Sequence, residues 1–128
     1  MTRGSCLCGA VTYEINGPLR PIIMCHCIQC RKQTGHFLAS TNCKTADIKI
    51  SGTGNLTWFR ASDTAARGFC KTCGSFLFWQ ADGRDNTSIA AGSIDGKTGL
   101  AVEGHIYCAY AGDYYEISGG RYQLPEWQ

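Results

Sequence analysis

Apolar and polar residues alternate along this chain in short stretches. No amphipathic pattern of helical period continues for more than about two turns. Residues 10–15 (AVTYEI) read as a strand entered from a tight turn, and Ile22–Cys25 reads as a second. Residues 37–41, 56–60, 76–80, 88–91 and 105–110 complete the predicted strands. Glycine, asparagine and aspartate fill the gaps between them, as turns require. The one predicted helix is a turn or two over Ile28–Thr34. There is no repeat, low-complexity tract or linker. The expected architecture is therefore mainly β, in a single domain over residues 1–128.

Composition changes this picture little. The chain is 44% apolar and 17% charged, which suits a folded domain. A net charge of +2 with no basic stripe gives no reason to expect a nucleic-acid partner. No apolar run is long enough to span a bilayer, and residues 1–10 lack the apolar stretch of a signal peptide. These features lead to the expectation of a soluble, cytoplasmic protein without a membrane partner.

The nine cysteines change it a great deal. An odd count without an export signal argues against a disulfide framework. Seven of the nine fall into three tight motifs: Cys6-Leu7-Cys8-Gly9, Cys25-His26-Cys27-Ile28-Gln29-Cys30 and Cys70-Lys71-Thr72-Cys73-Gly74. Spacings this short let one turn aim two sulfurs at a common point, as a zinc ion requires. The glycines after Cys8 and Cys73 can take the positive φ that folds a backbone around a metal. Seven ligands divide as four plus three. Cys6, Cys8, Cys70 and Cys73 make a closed structural site tying the N-terminus to the middle of the chain. Cys25, Cys27 and Cys30 then form a second zinc site with one open corner, which gives two zinc ions per chain. The competing possibility is that both sites are closed, with Cys43 or Cys108 as the eighth thiolate. Otherwise those two cysteines are expected to be small buried hydrophobes.

Three thiolates on a divalent ion leave a net charge of −1, and nearby cations would offset it. Arg31 and Lys32 directly follow Cys30 and are candidates, although solvated surface positions suit them equally. His26 lies between two ligands. It is a candidate general base or fourth ligand, but in an extended segment its ring points away from its neighbours' side chains, which favours a supporting role.

The three cysteine motifs, with the flanking Gly4-Ser5, Ala10-Val11-Thr12-Tyr13-Glu14, Arg31-Lys32-Gln33-Thr34-Gly35, Arg67-Gly68-Phe69 and Ser75, resemble the glutathione-dependent formaldehyde-activating enzyme family, also called centromere-protein-V-like. The likeness runs on through Ala91-Gly92-Ser93-Ile94-Asp95 and His105-Ile106-Tyr107 to Leu124-Pro125-Glu126-Trp127. It implies a fold of twisted antiparallel sheets shared with the Mss-four-like, zinc-containing Rab-GTPase-binding chaperones. It implies Cys6, Cys8, Cys70 and Cys73 as structural zinc ligands, and Cys25, Cys27 and Cys30 as those of a catalytic zinc. The implied activity is addition of glutathione to formaldehyde, formally a carbon–sulfur lyase reaction in reverse. Residues 115–124 (YEISGGRYQL) are longer than the ending typical of that family, and Cys43 and Cys108 are not part of its pattern.

On that reading, the sulfur of a small thiol such as glutathione attacks an aldehyde beside the Cys25/Cys27/Cys30 site. His26, His105 or a water then protonates the new alkoxide. Arg31, Lys32, Arg60 and Arg67 are the candidate partners for glutathione's charges. A zinc-stabilised binding module without catalysis is the alternative, and a fourth protein ligand at the second site would favour it. Redox chemistry at Cys108 is a weaker alternative, because residues 106–109 read as an apolar strand. A zinc deaminase is excluded by the missing H-x-E and P-C-x-x-C elements.

Overall fold

The structure is a computed structural model that describes residues 1–127. Ten strands and one helix follow the order β1 (Thr2–Ser5), β2 (Thr12–Ile15), β3 (Ile22–Cys25), α1 (Ile28–Thr34), β4 (Leu38–Lys44), β5 (Ile48–Ser51), β6 (Leu56–Phe59), β7 (Ala65–Cys70), β8 (Phe76–Ala81), β9 (Asn86–Ala90) and β10 (Val102–Ile106). Strands β1, β2 and β5 form a three-stranded sheet. The other seven form a sheet in the order β10-β3-β4-β9-β8-β7-β6. No helix among the described residues is long and apolar enough to cross a membrane.

The mainly β expectation holds, with one correction to the wholly antiparallel sheets. Strand β10 pairs with β3 in parallel, placing Ile106 opposite Cys25. These strands are joined by a long excursion through the rest of the sheet rather than by a hairpin, so they are free to run the same way. The predicted strand over 105–110 also shifts. Pairing ends at Ile106, Tyr107 turns into the left-handed region at φ 55°, and Cys108–Tyr110 form a single 3-10 turn. Cys108 therefore lies in a turn, not in an apolar strand.

The alternation of β2 puts Tyr13 and Ile15 into a common core with Val11, Cys43, Leu77, Phe78 and Ile89, so that both sheets share it. Tyr13 meets Phe78 edge-on, with ring centroids 5.4 Å apart. Burying each of the large apolar side chains contributes on the order of 1.5–3 kcal/mol. Residues 111–127 form no helix or strand, yet they are bonded back along β10. Tyr122 O accepts from His105 N at 3.0 Å, and Leu124 N donates to His105 O at 2.9 Å.

Gly52 shows how tightly the β5–β6 turn is set against the first cysteine motif. Its φ is +77°, and an added Cβ would collide with the carbonyl oxygen of Ala10. Gly35, the left-handed cap of α1 at φ +81°, has open space around it. Gly52→Ala therefore bears about 1–2 kcal/mol of backbone strain plus about 1–3 kcal/mol of overpacking. Gly35→Ala bears the strain alone. Denaturant unfolding is expected to rank Gly52→Ala as clearly the less stable of the two, and equal values would contradict this account of the turn.

Candidate metal centres

The first cysteine group is assembled by two turns that mirror each other. In one, Gly9 N donates to Cys6 O at 3.1 Å. In the other, Gly74 N donates to Cys70 O at 2.7 Å. Both glycines sit at φ 80°, the conformation their positions in the motifs led us to expect. The turns bring Cys6, Cys8, Cys70 and Cys73 together with all four sulfurs within 4.8 Å of one another. The Cys6–Cys8 and Cys8–Cys70 sulfurs are 3.6 and 3.7 Å apart. A tetrahedron with metal–sulfur bonds of about 2.3 Å has edges of about 3.8 Å, so the group fits a zinc-sized ion.

Ser75 ties the two turns together. Its hydroxyl accepts from Leu7 N at 2.9 Å and lies 3.2 Å from Cys73 Sγ. That hydroxyl, with the N–H groups of Ser75 and Cys8, lowers the Cys73 thiol to about 5, favouring the thiolate a metal needs.

The second group forms where β3 runs into α1. Cys25 ends the strand, Cys27 caps the helix and Cys30 lies in its first turn, with the three sulfurs again within 4.8 Å of one another. The Cys27 sulfur accepts the Cys30 N–H at 3.3 Å. Hydrogen bonds from the Cys25 and then the Cys30 thiols hold the Cys27 thiol well below its ordinary range. Among the described residues, no fourth His, Cys, Asp or Glu ligand atom joins this group. Cys43 is in the core at 5% exposure, as expected for a buried hydrophobe. Burial raises the Cys108 thiol, which does not suit a reactive cysteine.

The cation nearest the cluster is Arg67, on β7. It is 5% exposed, and its guanidinium donates to Cys30 Sγ at 3.4 Å and to Gln33 Oε1 at 2.9 Å. From the sequence, Arg67 is a candidate partner for a substrate carboxylate. The structure sets it against a sulfur of the second group, and its Nε has no partner among the described residues. Arg31 is half-buried and Lys32 exposed, both in the last turn of α1. Arg60 is engaged elsewhere, in a two-point pair with Asp82 at 2.7 and 2.8 Å.

His26 and His105 are 1% and 2% exposed. His26 Nδ1 lies 2.6 Å from the Tyr115 hydroxyl, and its Nε2 lies 2.9 Å from His105 Nδ1. Burial first, and then His105 and His36, lower His26 to about 4, so it is neutral near pH 7. With both ring nitrogens engaged, His26 would have to break a hydrogen bond to act as a base. Neither Tyr115 nor Ser75 has a site role legible in the cysteine motifs alone. Ser75 follows a motif glycine directly and could have been noticed, whereas nothing local links Tyr115 to His26.

The whole arrangement has relatives. The family model of the glutathione-dependent formaldehyde-activating enzyme matches residues 1–110. A protein of Schizosaccharomyces pombe described as an uncharacterized lyase is 25% identical over 116 residues, covering 90% of this chain and 84% of its own. A crystal structure of a Rhodobacter sphaeroides protein superposes with a TM-score of 0.59 at 26% identity, covering 78% of this chain and 97% of that one. With both cysteine groups of the pattern assembled in space, the chain belongs to the glutathione-dependent formaldehyde-activating enzyme family.

Proposed function

We propose that this protein is a carbon–sulfur lyase-type enzyme joining a small thiol to a small aldehyde, with glutathione and formaldehyde as the pair its family's description points to. One observation carries the reading: four sulfurs gather at the first group and three at the second. Four thiolates close a zinc site and make it structural, whereas three leave a position for a reactant. A zinc ion held by Cys25, Cys27 and Cys30 would supply that open position and lower the pKa of a thiol entering it.

The chain's own residues supply the rest. Arg67 offsets the negative charge of the thiolate cluster through its bond to Cys30. Arg31 and Lys32, on the helix that starts at the cluster, are the candidate partners for the substrate's carboxylates. The chemistry is an addition. A sulfur–carbon bond forms, the carbonyl π electrons move to oxygen, and the proton lost by the thiol ends on that oxygen. Nothing is oxidised or reduced overall. A role for the second group as a purely structural zinc site in a binding module is less well supported, because no fourth ligand among the described residues closes it.

The test is exchange spectroscopy with ¹³C-formaldehyde and glutathione at equilibrium. Zinc-loaded protein at micromolar concentration is expected to speed interconversion of free and glutathione-bound formaldehyde well above the spontaneous rate. An exchange rate indistinguishable from the protein-free sample, with both groups loaded, would sink the reading.

A further inference from the structure

The ring of His26 stands at one end of a hydrogen-bond chain whose direction can be worked out. His105 Nε2 is 3.0 Å from the carbonyl oxygen of Ser118 and 3.1 Å from that of Gly119. Carbonyl oxygens only accept, so His105 Nε2 carries a proton. With both imidazoles in the neutral form, each has one donor and one acceptor, so His105 Nδ1 accepts. His26 Nε2 must then donate to it, and His26 Nδ1 must accept. The Tyr115 hydroxyl, 2.6 Å away, is the donor. Every group in the chain from Tyr115 to the Ser118–Gly119 backbone is satisfied in one direction only.

This chain grips the peptide between two cysteines of the second group. The His26 ring is fixed at both nitrogens, and its backbone N–H donates to Ile106 O at 3.0 Å. Three bonds thus fix the one residue separating Cys25 from Cys27. Tyr115, Ser118 and Gly119 all lie beyond residues 1–110, the part that matches the family. Tyr115 is also packed edge-on to His36 with centroids 4.3 Å apart, so its ring has a place independent of its hydroxyl.

We propose that Tyr115 is a positioning residue for the second cysteine group. Acting through His26, with His105 as the far anchor, it presets the spacing of the Cys25 and Cys27 sulfurs for a metal ion. This rests on the reading of that group as a metal site. Buried hydrogen bonds that orient a ligand-bearing segment typically change metal affinity by about ten- to a hundred-fold.

The test uses the full chain with the first group zinc-loaded. The second group is stripped by a mild chelator and titrated with cobalt(II), whose thiolate charge-transfer bands report the geometry of the sulfurs. Tyr115→Phe keeps the ring and removes the donor. It is expected to weaken cobalt binding about ten- to a hundred-fold and to alter those bands, with the zinc of the first group retained. Tyr114→Phe is the control, since its exposed hydroxyl bonds only to Gly35 O; its affinity and bands are expected to match the wild type. Unchanged affinity and bands in Tyr115→Phe would overturn the positioning role and leave the metal reading intact. Failure of the wild type to bind cobalt at this group would overturn both. The wild-type protein gives a second readout, should Tyr115→Phe fold poorly. Long-range ¹H–¹⁵N spectra are expected to show both His26 and His105 as Nε2–H tautomers, and an Nδ1–H tautomer at either ring would contradict the chain.

Discussion

Cys73→Ser is expected to leave the protein unfolded or insoluble. Cys73 is only half-buried, so the change opens no core cavity, and its effect has to act through the metal. The four sulfurs of its group come from the β1–β2 connection and from the end of β7 with the turn that follows it, two segments far apart in sequence. They also sit against the shared core through Cys6 and Cys70, at 3% and 0% exposure. Ligands scattered in this way meet only in the folded chain, so the metal's binding energy is folding energy, on the order of 10 kcal/mol or more. A domain of this size is stable by about 5–15 kcal/mol in total, and losing one thiolate can consume most of that. Circular dichroism and solubility on expression are sufficient measurements. A folded, soluble Cys73→Ser protein with native thermal stability would show that the first group does not hold the fold together.

Cys30→Ser is expected to do the opposite: to leave the fold intact while abolishing thiol binding and exchange activity. The second group is local, contained in the β3–α1 junction, and the strands around it are held by their own backbone ladders. The substitution takes away one of three sulfurs and the acceptor of the Arg67 bond, leaving a buried guanidinium with a hydroxyl in place of a sulfur. Elemental analysis should find about one zinc per chain instead of two, with catalysis at the spontaneous level. If Cys30→Ser unfolds the chain as badly as Cys73→Ser, both groups are structural and the binding-module reading gains.

The division of the cysteines into a group of four and a group of three is legible in the sequence because metal ligation is written in spacing. Short intervals between cysteines, with a glycine behind two of the pairs, announce the turns and the four-plus-three division before any fold is known. The helix over Ile28–Thr34 and the strand Ile22–Cys25 were legible for similar local reasons. Strands β1 and β7 were not, since Arg3, Gly4, Arg67 and Gly68 are poor strand formers that only pairing with β2, and with β6 and β8, holds extended. Strand β5 does carry an alternation in Ile48-Lys49-Ile50-Ser51, but it is only four residues long and runs straight into the turn at Gly52. The partners of the second group were hidden for another reason. Arg67 reaches Cys30 from another strand, and Tyr115 reaches His26 from the far end of the chain. Such contacts depend on topology, which no local pattern encodes.

On the proposed function, three thiolates leave room for a fourth sulfur at the second group, and calorimetry reads whether one enters. Glutathione and S-methylglutathione differ only in whether the sulfur can lose a proton and enter the open position. They should be titrated into the zinc-loaded protein in two buffers of different ionisation enthalpy. Tight binding of glutathione is expected, with about one proton released, affinity rising with pH until the free thiol itself ionises, and weak binding of the S-methyl form. Equal affinity for the two, or binding of glutathione without proton release, would mean that sulfur never reaches the metal and that the second group is no thiol site.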